Sequence, residues 1–282
     1  MKTLHSIQAL RDELAVYRRA GKKIGLVPTM GNLHEGHLQL IDLAKQHADI
    51  VVATIFVNPL QFGAGEDLDK YPRTLADDQD KLTRQGCDFL FAPTEDEMYP
   101  NGRSAQTQVS VPAISDLHCG ASRPGHFTGV ATVVCKLFGI AQPDVAVFGE
   151  KDYQQLMVIR QMAADLCIPV NIVGAPIARN ADGLALSSRN GYLSDDEKAR
   201  AIALRATLNQ TAQALKAGEK DFARLQETAQ QQLETQGFRR DYYMICRQTD
   251  LQPATATDNK LVILAAAHMG PARLIDNLEV SF

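Results

Sequence analysis

Between Lys23 and Val173 the chain alternates short apolar runs with segments of helical period, and that alternation restricts the fold more than any other property. Lys23–Val27, Asp49–Val57, Asp88–Phe91, Asp144–Phe148 and Pro169–Val173 are too short for helices and rich in Val, Ile, Leu and Phe, as buried strands are. Between them, apolar residues recur at three- and four-residue spacing after Gly36, from Thr74 to Gln85, from Phe127 to Ile140 and from Gln154 to Leu166. Strand, helix and strand in repeated succession imply βα units on a parallel sheet. Ligands of such sheets collect at the carboxyl ends of the strands. An amphipathic helix precedes the series, with Ile7, Leu10, Leu14 and Tyr17 on one stripe and Gly21 as its stop. The loop-rich section from Thr94 to Gly125 is expected to hold one further short strand around Gln106–Val111.

After about Pro176 the pattern changes. Ser194-Asp195-Asp196-Glu197 is an N-cap with acids in the first turn, and it predicts one long helix to about Lys216. Asp221 caps a second helix ending near Gln236-Gly237, and strands follow at Asp241–Cys246 and Lys260–Ala267, the latter leading into Arg273–Asn277. The expected fold class is α/β. A Rossmann-like parallel-sheet domain over residues 1–176 would be followed by a smaller α+β domain over 177–282 that could act as a lid.

One strand end carries more chemistry than the others. Pro28-Thr29-Met30-Gly31-Asn32-Leu33-His34-Glu35-Gly36-His37 joins the first apolar run to a helix bearing Leu38, Leu40, Ile41 and Ala44. Glycines at 31 and 36 let the backbone bend and approach a ligand closely. A helix starting near Gly36 turns unpaired N–H groups and its positive dipole end into that turn. His34 and His37 stand beside it. A single histidine at a helix start is more often a cap or surface residue; two, flanked by glycines after a strand, favour an anion site, with phosphate the obvious anion. Other motifs fail on spacing. His34-Glu35-Gly36-His37 lacks the four-residue histidine separation of zinc proteases, and neither G-x-x-x-x-G-K-[ST] nor a strand-following G-x-G-x-x-G occurs.

Composition sets the setting. A net charge of −4 offers no broad basic field, which excludes nucleic acid as the main partner. Five scattered cysteines without C-x-x-C spacing argue for thiols in a reducing compartment. Met1–Leu4 leads into a charged helix rather than an apolar signal core, and no uncharged stretch is long enough to span a membrane. The expectation is a soluble cytoplasmic protein with no membrane partner.

Three further segments could bind ligands. Asn58-Pro59-Leu60-Gln61-Phe62 ends the second strand, and its neutral amides suit a hydroxylated substrate, although a turn residue and an exposed glutamine would look the same. In Phe148-Gly149-Glu150-Lys151-Asp152-Tyr153-Gln154-Gln155, Gly149 permits close approach and Lys151 supplies a mobile cation at a strand end. A surface lysine–aspartate pair fits that spacing equally well. Leu186-Ser187-Ser188-Arg189 offers two hydroxyls and a guanidinium, as a phosphate loop or a polar linker would.

Together these strings carry a resemblance. H-x-G-H after a first strand resembles the signature of the nucleotidyltransferase superfamily, which includes class I aminoacyl-tRNA synthetases. The fuller Pro28–His37 string, with F-G-E-K-D-x-Q-Q and S-S-R, is similar to the pantoate–β-alanine ligase family. That resemblance implies ATP-dependent condensation of (R)-pantoate with β-alanine through a pantoyl adenylate, releasing pyrophosphate and then AMP. It implies that Met30, Gly31, Asn32, Leu33, His34, Glu35, Gly36, His37, Gly149, Glu150, Lys151, Asp152, Leu186, Ser187, Ser188 and Arg189 contact ATP. His37, His34 and Lys151 would be catalytic, Gln61 would bind both pantoate and β-alanine, Gln155 would bind pantoate, and Asn58 would be a substrate-binding residue with them. Mg²⁺ is expected with ATP, its protein ligands unassigned, with Asp77 and Asp78 as candidates or simply helix-surface acids. A homodimer is implied too. Tyr71-Pro72-Arg73-Thr74 and Gly125–Val130 match family segments, leaving Arg73, Arg123 and His126 without roles. A nucleotidyltransferase that stops at transfer, or a nucleotide-sensing module, would share the H-x-G-H turn but would not require Gln61 or Gln155.

Overall fold

The computed structural model describes all residues from Met1 to Phe282. The chain divides into two compact units whose boundaries are not a single cut: one comprises residues 1–115, 123–150 and 155–176, the other 116–122, 151–154 and 177–282.

In the first unit the alternating runs become strands β1 (Lys2–Leu4), β2 (Ile24–Thr29), β3 (Ile50–Ile55), β4 (Phe89–Phe91), β5 (Val145–Gly149) and β6 (Asn171–Ala175). Their order is β1-β4-β3-β2-β5-β6, and every pairing is parallel. The connections run outward from β2 to one side and from β5 to the other, so the sheet has its topological switch point between those two strands. Pro28 is instructive here, because proline is a poor fit to a central strand. Asp144 bonds both backbone groups of Ile24, so Ile24, Leu26 and Pro28, at alternate positions, turn toward β5. Pairing with β5 covers only Gly25 and Leu26, so the missing N–H of Pro28 falls where β2 and β5 have already parted.

Helices cover both faces of this sheet. These are α1 (Ile7–Arg19), α2 (Glu35–His47), α3 (Leu75–Arg84), the short α4 (Glu95–Met98), α6 (His126–Ala141) and most of α7 (Tyr153–Asp165), with α5 (His118–Ser122) belonging to the second unit. Leu40, Ile41 and Ala44 of α2 and Leu82 of α3 pack with Val27, Val51, Leu90, Val145 and Val147 of the strands. Helix α6 is apolar nearly all round, from Phe127 through Val130 and Val134 to Leu137 and Ile140, as a helix buried on most sides must be. Each such fully buried Val, Leu or Phe contributes about 1.5–3 kcal/mol of transfer free energy. Arg11 and Arg18 of α1 donate to the carbonyls of Gly139 and Ala141, satisfying the last turn of α6.

The second unit holds α8 (Asp195–Ala201), α9 (Ala203–Lys216), α10 (Phe222–Thr235) and the antiparallel sheet β7 (Arg239–Arg247), β8 (Lys260–Met269) and β9 (Ala272–Ser281). Leu204, Leu208, Leu215 and Leu233 pack against Leu261, Ile263, Ala265 and Ala267, alternate residues of one face of β8. Segment 116–122 joins this unit through polar contacts: Cys119 Sγ lies 3.0 Å from the Tyr242 hydroxyl, and His118 Nε2 lies 2.8 Å from the Leu251 carbonyl oxygen.

Four expectations change. Residues 106–111 form no strand; the Val109 N–H donates to the Thr132 hydroxyl of α6 instead of a neighbouring strand. The helix expected from Ser194 to Lys216 is two helices meeting at Ile202, although the Ser194–Glu197 capping box forms as its spacing predicts. Strands β1 and β9 had no separate signal: β1 has three residues, and β9 mixes Asp276, Asn277 and Glu279 into its apolar pattern. Finally, Asp78 is not a helix-surface acid, for its side chain is fully buried.

Candidate active site

The turn after β2 opens at the switch point of the first unit. Gly31 and Asn32 both take positive φ, 84° and 51°. A Cβ at Gly31 would lie 3.0 Å from Ile55 Cγ2 and 3.2 Å from Asp78 Oδ2, so both conformation and space require glycine. Helix α3 braces the turn from below. The two Asp78 carboxylate oxygens accept the N–H groups of Asn32 and Leu33, each at 2.8 Å, and Lys81 Nζ donates to the Leu33 carbonyl at 2.8 Å. Thr74 donates its hydroxyl to Asp78, and Leu33 itself packs into the core. Leu33 therefore anchors the loop through its side chain.

The paired histidines are held by the helix they start. His34 is the N-cap of α2, and its Nδ1 accepts the N–H of Gly36 at 3.2 Å. His37 Nδ1 reaches back to the N–H of His34 at 3.3 Å, giving a capping box built from imidazoles. The rings are 4.1 Å apart between centroids. With Nδ1 accepting in each, the neutral rings carry their proton on Nε2, the form that donates to a phosphate oxygen. Glu35 is exposed in the first turn.

Gln61 sits within reach of this turn, its Nε2 3.1 Å from the Met30 sulfur. It is buried rather than exposed. Asn58 holds it: Asn58 Nδ2 donates to Gln61 Oε1 and to the Gly129 carbonyl, each at 3.1 Å, while its Oδ1 accepts from the Tyr99 hydroxyl at 2.6 Å and from the Leu60 N–H. Both side-chain polar atoms of Asn58 are thus engaged by protein, so in place of the expected substrate contact its direct effect is on Gln61. The Gln61 carbonyl accepts from His126 Nδ1 at 2.8 Å, which leaves His126 Nε2 to accept from Arg123 at 3.0 Å. Arg123 is fixed by a two-pronged ion pair with Glu66, both bonds at 2.7 Å. Burial works to raise the Glu66 carboxyl, but the Arg123 hydrogen bond and charge outweigh it and hold the group below its ordinary range. Arg73 reaches only the backbone carbonyls of Tyr71 and Leu68, both at 3.4 Å. In the same unit Gly149 ends β5, Glu150 opens the short 3-10 turn that follows, and Gln155 lies half-buried in the first turn of α7. A Cβ on Gly149 would meet nothing within 4 Å.

The remaining candidates belong to the second unit. Lys151 Nζ stands 3.7 Å from Asp152, a loose pair that leaves Lys151 mostly buried and Asp152 half-exposed. Ser187 caps a short 3-10 helix over Ser188–Tyr192, its hydroxyl accepting the Arg189 N–H at 3.3 Å. Lys151 and Ser187 line one cleft together with Asn190, Arg205 and Asp276. Burial first, and then the neighbouring Arg179, lower the Arg205 pKa, with Asp276 opposing. Among the residues that line it, Lys151 and Arg205 outnumber the one carboxylate, Asp276, so the lining is net positive.

Sequence reasoning missed Asp78 as a brace, and with it Lys81, Tyr99, Glu66 and Arg205. A signal existed for the first: Asp78 and Leu82 are i, i+4 and are the two buried residues of α3, so an acid occupies the inward stripe. The others become visible only when distant segments meet.

Comparison with known proteins accords with this arrangement. The family model for pantoate-beta-alanine ligase matches residues 2–279. A pantothenate synthetase from Pseudomonas fluorescens is 60% identical over 280 residues, covering 99% of this chain and 98% of that protein. One from Azotobacter vinelandii is 58% identical, covering 99% of each. The crystal structure of pantothenate synthetase from Thermus thermophilus superposes with a TM-score of 0.92 at 45% identity, covering 100% of both chains. That of the pantoate-beta-alanine ligase from Francisella tularensis, complexed with beta-gamma ATP and beta-alanine, gives 0.82 at 35% identity, covering 99% of this chain and 97% of that one. The paired imidazoles at the switch point, the buried Gln61 and the whole-length match agree: this chain belongs to the pantoate–β-alanine ligase family.

Proposed function

We propose that the braced turn Met30–His37, together with Gln61 and Lys151, carries out the reaction of the family in this protein. The protein is an AMP-forming ligase that condenses pantoate with β-alanine at the expense of ATP. The observation that carries the site reading is the pair of imidazoles pinned at the N-terminus of α2 beside Gln61. In the first step a pantoate carboxylate oxygen bonds to the α-phosphorus of ATP while the bond to the β-phosphate bridge breaks, giving pantoyl adenylate and pyrophosphate. Such a step needs alignment and charge stabilisation more than covalent help. His34 and His37 donate from Nε2 to phosphate oxygens, and the N–H groups at the start of α2 add to the same field. Lys151, Ser187, Ser188 and Arg189 steady the departing pyrophosphate. In the second step the β-alanine nitrogen bonds to the acyl carbon, the bond from that carbon to the AMP oxygen breaks, and the amine gives up a proton. Gln61 offers a neutral amide to pantoate and β-alanine, held in place by Asn58 and by the Glu66–Arg123–His126 chain, and Gln155 contributes to the pantoate site.

Mg²⁺ is expected with the nucleotide. No group of three His, Cys, Asp or Glu residues is placed to hold a metal, and both Asp78 oxygens already accept backbone N–H groups. The residues present assign it no protein ligand, and bound with ATP it would supply charge neutralisation of the triphosphate. A homodimer in the cytoplasm completes the reading. Five unbridged cysteines support a reducing compartment, and no helix is long and apolar enough to cross a membrane. Light scattering on the purified protein tests the dimer.

The decisive experiment is pantoate-dependent exchange of labelled pyrophosphate into ATP without β-alanine. Exchange is expected only with pantoate. Its absence, with AMP released once β-alanine is added, would discard the stepwise mechanism. Lys151→Ala should lower the exchange rate by about 100-fold with its melting midpoint little changed. Near-parental exchange at saturating ATP would remove Lys151 from the site.

A further inference from the structure

Lys151 and the Ser187–Arg189 turn are far apart in sequence, yet strand β9 bonds to the supports of both. Asp276 and Asn277 of β9 are buried, at 4% and 5% exposure. The Asp276 carboxylate takes both prongs of the Arg179 guanidinium, each at 2.7 Å. Arg179 also donates to the Gly183 carbonyl at 3.0 Å and bridges to Ala185, so it fixes the base of a tight antiparallel turn. The Leu186 N–H donates to the Ala178 carbonyl at 2.9 Å, and Asn190 Nδ2 donates to the Ala185 carbonyl at 2.9 Å. The outgoing limb of that turn delivers Ser187, Ser188 and Arg189. Next along the strand, Asn277 Nδ2 donates to the Lys151 carbonyl at 3.0 Å. The Asn277 N–H in turn donates to Asp276 Oδ1 at 2.8 Å, which ties the two anchors together.

We infer that Asp276 and Asn277 are a positioning pair that sets the spacing between the Lys151 ammonium and the Ser187–Arg189 turn, and through it the affinity for the ATP triphosphate. The inference rests on the reading that Lys151 and Arg189 bind that triphosphate. The pair acts through its neighbours, since a carboxylate saturated by Arg179 is no ligand for phosphate. A buried ion pair of this kind adds little net stability over an apolar pair of equal volume, while its geometry specifies one arrangement of the segments it joins. Arg179 deprived of Asp276 becomes an unpaired cation beside the cleft, and the turn loses the fork that orients its base.

The test measures binding of β,γ-methylene ATP by calorimetry, with pyrophosphate exchange and thermal melting in parallel. Asp276→Asn and Asn277→Ala are each expected to weaken binding by about tenfold, and each effect should shrink to about twofold or less when Arg189→Ala or Lys151→Ala, respectively, is already present. A merely structural role predicts the same factor in both backgrounds. That result, or unchanged binding in folded variants, overturns the inference. Should Asp276→Asn fail to fold, Asn277→Ala, which removes no charge, decides by the same criteria. If Arg189→Ala and Lys151→Ala themselves bind the analogue like the parent, the underlying reading fails and this inference falls with it. If those two are weakened and the β9 variants are not, the inference fails alone.

Discussion

Asp78 is fully buried, and it fixes the turn that carries His34 and His37. Its two oxygens take the N–H groups of Asn32 and Leu33 in the turn that carries the histidines. Removing the acceptor leaves one buried donor, at Leu33, and one partly buried, at Asn32, unsatisfied, at about 1–3 kcal/mol for a buried group and less for the other. Asp78→Ala should therefore lower stability by about 3 kcal/mol, read from denaturant unfolding. Asp78→Asn keeps one acceptor oxygen but turns an amide NH₂ toward a backbone N–H. Its larger effect is expected on exchange kinetics, by about tenfold or more, because the turn is re-aimed rather than lost. An Asp78→Ala protein as stable as the parent would show that the turn holds its shape without α3.

At the scale of elements, α6 fixes the turn that carries Gln61 by coming close. A Cβ on Gly129 would lie 2.2 Å from the Leu60 carbonyl oxygen and 2.6 Å from the Gln61 nitrogen, both backbone atoms that cannot swing aside. The helix and the 59–61 turn touch because position 129 has no side chain, and Asn58 Nδ2 bonds the Gly129 carbonyl across the same contact. Gly129→Ala should force the turn away, destabilise the protein by about 2–4 kcal/mol and raise the KM for pantoate more than that for ATP. Equal changes in both constants would mean that the turn does not report on Gln61. Gly139 of the same helix has nothing within 4 Å of its virtual Cβ, so Gly139→Ala is the matched control. It should stabilise slightly, as alanine does in a helix interior.

For the whole molecule, protonation sets the limits of stability. Burial lowers the pKa of His118, and also that of His268, from the ordinary 6.5. Their unfolded forms gain protons first, so stability present above that value is lost as pH falls through the folded pKa. Glu66, held low by Arg123 against its burial, continues the loss below its ordinary 4.5. On the alkaline side burial raises the phenols of Tyr99, Tyr242 and Tyr243 above their ordinary 10.0. A raised folded pKa contributes stability that is complete below the unfolded value and fades above it. The buried thiols of Cys87 and Cys246, raised above their ordinary 9.0, open the alkaline loss ahead of the phenols. Melting midpoints should be level from about pH 7 to 8.5 and fall on both sides, with the acid shoulder reduced in His118→Gln. A midpoint that is flat down to about pH 5 would contradict the acid limb.

What the sequence determined by itself was local and periodic. Apolar runs of strand length, a stripe such as Ile7-Leu10-Leu14, the Ser194–Glu197 cap and the glycine-flanked histidines all act over a few residues, where hydrogen bonding and side-chain direction are set by near neighbours. The parallel sheet and the glycine-flanked histidine turn were legible for that reason, whereas Gln61 was singled out only by the family resemblance and its burial came from the fold. Tertiary structure alone decided the rest. Pro28 fits a central strand because β5 has already diverged, Asp78 faces inward because a turn forty-six positions away needs two acceptors, and β9 earns its place through partners at 151 and 179. A break at Ile202 within one periodic segment, and a Val109 N–H that bonds a helix hydroxyl instead of a strand, belong to the same class. Each depends on which surfaces meet after the chain has closed long loops, and residue type at one position carries no record of a partner a hundred residues away.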